Sequence, residues 1–359
     1  MFLQQRIQSF LDERTATGVE RGVQFVAYRD GKLIVDVASG VTDSVAKQPV
    51  TADTLFPVFS VSKGITSTLV HQIVERGDLT YDTPIAKVWP EFAANGKEDI
   101  TLRQALIHSS GLPHVPSGIG FAELCDWNYM CRAMAAQTPS WKPGTRIEYH
   151  AMTFGWIVGE VARRVTGHAT FESLLEEKIS RPLRATGLYI GLPTEVKTPI
   201  AILEEPGATE PTPPANGLES IPAWMGPLYA IMNRDDLRHA CLPASSGIMN
   251  ARSLARHYAA VLPGGIDGVE LLPPSRVKLA TQPQQPDHPE GDYEKDWGLG
   301  YKLSANPADP HNRFTEFGHG GYGGAKGFAD IESRLAIGFT KNLYTNQDTL
   351  TKIVAMLKE

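Results

Sequence analysis

The sequence predicts a mixed α/β (α+β) protein: a sheet flanked by helices, built from both chain ends, with a mainly helical region inserted between them. Three observations carry this. Residues 23–37 and 313–342 are β-rich, the stretch between them shows helical periodicity, and 359 residues are enough for two structural regions. The implied division is a discontinuous sheet region, residues 1–80 with 265–359, and a helical region with irregular loops, residues 81–264.

Met1 to Arg14 reads as an amphipathic helix with Phe2, Leu3, Ile7, Phe10 and Leu11 on one side. Val23 to Val37 is a strand pair broken at Arg29-Asp30-Gly31, a turn suited to positive φ. Thr54 to Phe59 is a short extended approach. Val61 to Arg76 is helical, with Ile65, Leu69, Ile73 and Val74 at core spacing, and Gly77-Asp78 ends it. Helices follow at Leu102–His108, Glu123–Gln137 and Phe154–Val165. Six prolines between Glu205 and Pro227 mark a long irregular segment, more often functional than idle in a compact fold. Helical pattern returns at Ala251–Val261 and after Pro274. Strands follow at Arg313–Phe317, Ala325–Ile331 and Arg334–Asn342, and a last helix at Thr349–Leu357.

Composition narrows the functional classes. A formal charge of −6 leaves no basic footprint for nucleic acid. No stretch approaches the ~18 apolar residues of a membrane span, and the first residues carry no secretory pattern. Cys125, Cys131 and Cys241 are an odd set without zinc-like pairing, which fits a reducing compartment. A cytoplasmic protein acting on small molecules is the expectation.

The most informative motif is Ser60-Val61-Ser62-Lys63, where an extended run turns into a helix. The spacing puts both side chains on one helical face, one turn apart. A hydroxyl needs a base, and a lysine serves as one only when its environment strips its charge. Neutrality at pH 7 requires a shift of about 3 units, roughly 4 kcal/mol. A helix N-terminus supplies ~0.3–1 kcal/mol of that, up to ~2 when partly buried, and desolvation must supply the rest. S-x-x-K also occurs at Ser44–Lys47, in a polar stretch, and at Ser275–Lys278, where Ser275 reads as a helix-starting residue. Only Ser60 leads into a long helix with a buried face.

Downstream lie Pro143-Gly144-Thr145-Arg146-Ile147-Glu148-Tyr149 and Phe317-Gly318-His319-Gly320-Gly321-Tyr322-Gly323-Gly324. The order S-x-x-K, a tyrosine after Pro-Gly-Thr, then a small-residue triplet before a C-terminal strand resembles the serine β-lactamase-like superfamily. The resemblance is to the class C β-lactamase and family VIII carboxylesterase branch, which includes lovastatin-type acyltransferases. It extends from about Gly22 to Asn342 and includes Ile107 to Leu112 and Gly155 to Gly167. It implies a β-lactamase/transpeptidase-like fold with an antiparallel sheet. It also implies Ser60 as nucleophile, Lys63 as its activating partner and Tyr149 as a general base and acid. The backbone N–H groups of Ser60 and Tyr322 would form the oxyanion hole. Which of Lys63 and Tyr149 takes the first proton stays open.

Two positions depart from the penicillin-hydrolysing pattern. Ala151 stands two residues after the tyrosine where those relatives carry asparagine, removing a polar partner for a substrate amide. His319-Gly320-Gly321 replaces Lys-Thr-Gly, exchanging a fixed cation for a titratable imidazole. Both disfavour β-lactams and point to ester or acyl-thioester substrates, with His319, Gly320, Gly321 and Trp224 as substrate-binding residues. Ile221, Trp224, Met225, Tyr229 and Met232 are candidates for an apolar acyl wall.

No cofactor is called for. Gly318-x-Gly320-x-x-Gly323 spells a dinucleotide fingerprint but precedes a strand rather than a helix. No G-x-S-x-G elbow is present, the histidines show no metal spacing, and His108 and His114 read as structural. The leading expectation is an ester-cleaving serine hydrolase. Acyl transfer through the same acyl-enzyme is the alternative, and a β-lactamase, a non-hydrolytic catalyst or a penicillin-recognising binding module ranks lower.

Overall fold

The β-rich stretches at the two ends of the chain pair with each other. The computed structural model describes residues 2–207, 220–305, 313–345 and 348–358. Helix α1 (Leu3–Ala16) leads into β1 (Gly22–Arg29) and β2 (Lys32–Gly40), the predicted hairpin. Its turn residues Asp30 and Gly31 take φ of 50° and 69°, as a hairpin matched to strand twist requires. Three very short strands, β3 (Phe56–Phe59), β4 (Leu188–Ile190) and β5 (Gly247–Met249), form a small sheet in the order β3-β5-β4. Strands β6 (Lys302–Ala305), β7 (Phe314–Gly320), β8 (Lys326–Asp330) and β9 (Leu335–Lys341) complete the main sheet, ordered β2-β1-β9-β8-β7-β6. Every neighbouring pair in it is antiparallel.

Both faces of this sheet are covered. Helix α1 buries Ile7 and Leu11 against Val23, Phe25, Ile337 and Phe339, together with Ile353 of the last helix, Thr349–Met356. Phe2, expected on that apolar side, is 81% exposed. Its extended backbone (ψ 149°) places it ahead of the first helical turn. Helix α2 (Val61–Glu75) is buried along nearly its whole length and joins β7 to helix α3 (Thr153–Thr166) of the helical region. Helix α4 (Ala251–Val261), assigned from sequence to the helical region, packs on β1, β8 and β9.

One predicted helix is two. The run Glu123–Gln137 splits into Phe121–Cys125 and Trp127–Ala136, because Asp126 leaves helical geometry and accepts from the Tyr129 N–H at 2.8 Å. The irregular segment 205–227 lies partly outside the described residues. Its described end holds a short turn, Ala223–Met225, and the helix Leu228–Ile231.

Candidate active site

The turn from β3 into α2 is tight and strained. Phe59 adopts φ 47°, a left-handed conformation rare for a bulky residue, at a cost on the order of 1–3 kcal/mol. Its ring is held edge-on by Tyr322 at 5.6 Å and tilted against Tyr344 at 6.2 Å. Ser62 Oγ–H donates to the Phe59 carbonyl at 2.6 Å, and Ser62 Oγ accepts from the Gly247 N–H at 2.9 Å. This turn lifts Ser60 to the surface of a pocket and drops Lys63, one turn on, beneath it.

Lys63 has no exposed surface. Its Nζ lies 3.2 Å from Ser60 Oγ, 2.7 Å from the Ala151 carbonyl and 3.0 Å from the Ala244 carbonyl. Burial holds the amine well below the usual lysine range. A neutral amine has two N–H donors and one lone pair. The two carbonyls match the donors, which leaves the lone pair for the Ser60 hydroxyl proton.

Tyr149 comes from an irregular stretch ahead of α3. Its Oη–H donates to Ser60 Oγ at 2.8 Å. The stretch is pinned by Glu148 N–H to the His108 carbonyl at 3.0 Å and by His150 N–H to His108 Nδ1 at 3.2 Å. Burial pushes the phenol well above its ordinary value; the Ser60 hydrogen bond works against this and the Glu294 charge adds to it. A proton therefore rests on Tyr149.

The third segment is the end of β7. His319 is 7% exposed and its ring lies 6.0 Å from that of Tyr149. Burial lowers His319 to about 3, so the imidazole is uncharged. Gly321 approaches β3 so closely that a Cβ would sit 2.0 Å from the Val58 carbonyl oxygen. Gly320 has no such demand, its nearest neighbour being 3.9 Å away. Among the described residues no acceptor engages the Ser60 or Tyr322 amide.

Of these groups, Ser60, Tyr149, His319, Gly320 and Tyr322 line one apolar cavity of about 490 Å³, which Met225, Leu228, Ile231, Met232, Leu237 and Leu242 line as well. Of the proposed acyl wall, Ile221, Met225 and Met232 are in the lining. Trp224 is not: it is 42% exposed and packs edge-on against Phe121 at 4.9 Å. Tyr229 packs instead with the cluster of Leu55, Phe59 and Tyr344. Gly321 is likewise outside the lining, behind Gly320. Glu294, Trp297 and Lys302 also line the cavity and escaped the sequence reading. The signal for them was a Trp-Gly-Leu-Gly turn flanked by charges. The other two S-x-x-K runs are remote from this chemistry: Ser44–Lys47 is an exposed turn, and Ser275 sits exposed in the helix Pro274–Ala280. Among the described residues no cluster of His, Cys, Asp and Glu could hold a metal, and no helix is long and apolar enough to cross a membrane.

Known proteins are similar to this chain over nearly its whole length. "Esterase/beta-lactamase LipL" of Mycobacterium tuberculosis is 32% identical over 335 residues, covering 89% of this chain and 77% of its own. A crystal structure of a family VIII carboxylesterase superposes with a TM-score of 0.86 at 30% identity, covering 99% of this chain and 96% of that one. A penicillin-binding protein homologue from Caulobacter crescentus superposes at 0.85 with 29% identity, covering 99% and 97%. The model of the beta-lactamase family matches residues 7–358, and with the sheet order and the three converging segments this makes the chain a member of that family.

Proposed function

We propose that this chain is a serine hydrolase of the carboxylesterase kind, cleaving small uncharged esters through an acyl-enzyme on Ser60 with water as acceptor. One observation carries the reading. A serine hydroxyl meets a discharged amine at 3.2 Å and a protonated phenol at 2.8 Å on the floor of an apolar cavity.

Lys63 is the base for the first step. Its burial favours the neutral amine, whereas Tyr149 already holds its proton and donates it to Ser60 Oγ. Ser60 Oγ attacks the ester carbonyl as its proton passes to Lys63 Nζ. The oxyanion is received by the Ser60 and Tyr322 amides, each donor of this type being worth about 3–4 kcal/mol. Collapse breaks the ester C–O bond, and Tyr149 gives its proton to the departing oxygen. The Lys63 ammonium, 4.7 Å from the Tyr149 ring centre, then restores the phenol. Water repeats the sequence in reverse to release the acid.

Ester specificity is supported by what surrounds the floor. Ala151 offers no side-chain amide, His319 is uncharged, and Lys302 is already held by Glu294 at 2.7 Å and Asp296 at 2.8 Å. Among the described residues, no uncommitted cation in the lining is left for the carboxylate of a β-lactam. Cys125, Cys131 and Cys241 are free thiols, which supports a reducing compartment such as the cytoplasm.

The deciding experiment is labelling with a fluorophosphonate, mapping of the adduct, and product analysis with an added alcohol. Stoichiometric modification at Ser60, lost in Ser60→Ala, together with release of free acid is the expected result. Preferential capture of the acyl group by the alcohol would mark an acyltransferase instead. Absence of both adduct and turnover would refute the acyl-enzyme.

A further inference from the structure

Tyr149 reaches Ser60 from backbone that belongs to no helix or strand, so its ring must be held by packing. The indole of Trp297 stacks on it, with ring centres 5.7 Å apart and planes within 17°, while His108 at 5.0 Å and His319 at 6.0 Å also pack against it. Trp297 is 2% exposed and is itself fixed from several sides. Its Nε1–H donates to Glu294 Oε2 at 2.8 Å, and Lys302 Nζ donates to the same oxygen at 2.7 Å. That ammonium also lies 4.4 Å from the indole centre. His108 packs edge-on at 4.3 Å. The Trp297 carbonyl accepts from the Gln284 N–H at 2.8 Å, and Trp297 bridges to Lys302 across a turn in which Gly300 takes φ 79°.

We propose that Trp297, anchored by Glu294, is a positioning residue for proton donation: its indole keeps the Tyr149 hydroxyl aimed between Ser60 Oγ and the departing oxygen. This rests on the acyl-enzyme reading above. In the step concerned, the ester C–O electron pair goes to the leaving oxygen and the Tyr149 proton follows it. Lys63 returns to the phenolate the proton it took from Ser60. A tilted Tyr149 ring leaves the nucleophile and its base in place and impairs only the acid.

That separation is measurable through the leaving group. An alkyl ester departs as a strongly basic alkoxide and needs the proton, while a p-nitrophenyl ester departs as a stabilised anion and does not. The test compares kcat/KM for ethyl and p-nitrophenyl esters of one acyl group across wild type, Trp297→Leu, Trp297→Phe and Glu294→Gln. Trp297→Leu is expected to lose about 10²-fold on the ethyl ester, the scale of an ångström misplacement, and about threefold or less on the aryl ester. Trp297→Phe, which keeps a ring to stack, should recover most of the loss, and Glu294→Gln should fall between. Equal losses on both esters in any variant that folds would overturn the positioning role. If Trp297→Leu does not fold, Glu294→Gln decides alone: a selective ethyl-ester loss supports the role and none refutes it. A wild-type enzyme with neither ester turnover nor a Ser60 adduct would instead refute the acyl-enzyme reading, and this inference with it.

Discussion

Lys63 and Lys302 serve the same site, one buried against Ser60 and one in the cavity lining. Lys63 is fully buried, and its hydrogen-bond partners among the described residues are neutral dipoles, a hydroxyl and two carbonyls. Lys302, one-third exposed, is bonded to the carboxylates of Glu294 and Asp296. Desolvation without a counter-charge makes the first a base. Paired carboxylates make the second a structural cation, spent on fixing Glu294 and covering Trp297. The residue type is the same, and the surroundings decide its use.

The severest way to break this contrast is to put a permanent charge at position 63. Arginine does not deprotonate in proteins, so Lys63→Arg should lose about 10³-fold in kcat/KM, within the range of general-base effects, and resemble Lys63→Ala. An Arg variant within tenfold of wild type in an ester assay would mean that the amine need not be neutral. The same logic predicts that activity rises with pH through the depressed Lys63 value and levels off below the ordinary lysine range.

Burial of uncharged bases also governs stability. Desolvation holds His71, His257 and His319 at about 3 and His150 at about 4, with His108 also well below its usual value. Unfolded histidines titrate near ~6.5, so in that window the unfolded chain binds more protons than the folded one. Stability is complete above pH ~6.5 and falls as pH drops toward ~4, each such histidine adding to the slope. Thermal melts should show a steep decline between pH ~6 and ~4. A constant melting temperature across that range would show that these rings are not desolvated.

A smaller effect separates His319 from Lys63. An imidazole that is already uncharged shapes the wall and takes no proton, so His319→Ala should cost about tenfold, far less than Lys63→Ala. It should also leave the pH profile without a step near the ordinary histidine value. Equal losses would place His319 in proton transfer.

The mildest expected change concerns acyl length. Met225→Trp fills the cavity and should shift preference toward shorter acyl chains by about tenfold, the scale of one or two methylenes in an apolar pocket. Trp224→Ala should leave the preference unaltered, because that ring faces Phe121. A changed preference in Trp224→Ala, read from a series of ester chain lengths, would return that residue to the pocket.

Much of this architecture could be read from the chain. β-rich composition and helical periodicity located the terminal hairpin, the closing strands and α2, and the three-residue spacing put Ser60 and Lys63 on one face. Strands β4 and β5 went unseen because three residues are too few to display a period. The break at Asp126 went unseen because a single capping side chain outweighed a continuous helical pattern.

Local covalent order determined the reactive types and their pairing within one helical turn, since side chains three residues apart must be neighbours. Tertiary structure alone decided the charge on Lys63, the exclusion of Trp224 from the cavity, and the seating of Trp297 against Tyr149. Each depends on which distant atoms replace water around a group. Periodicity tells which face is buried and leaves open what lies against it.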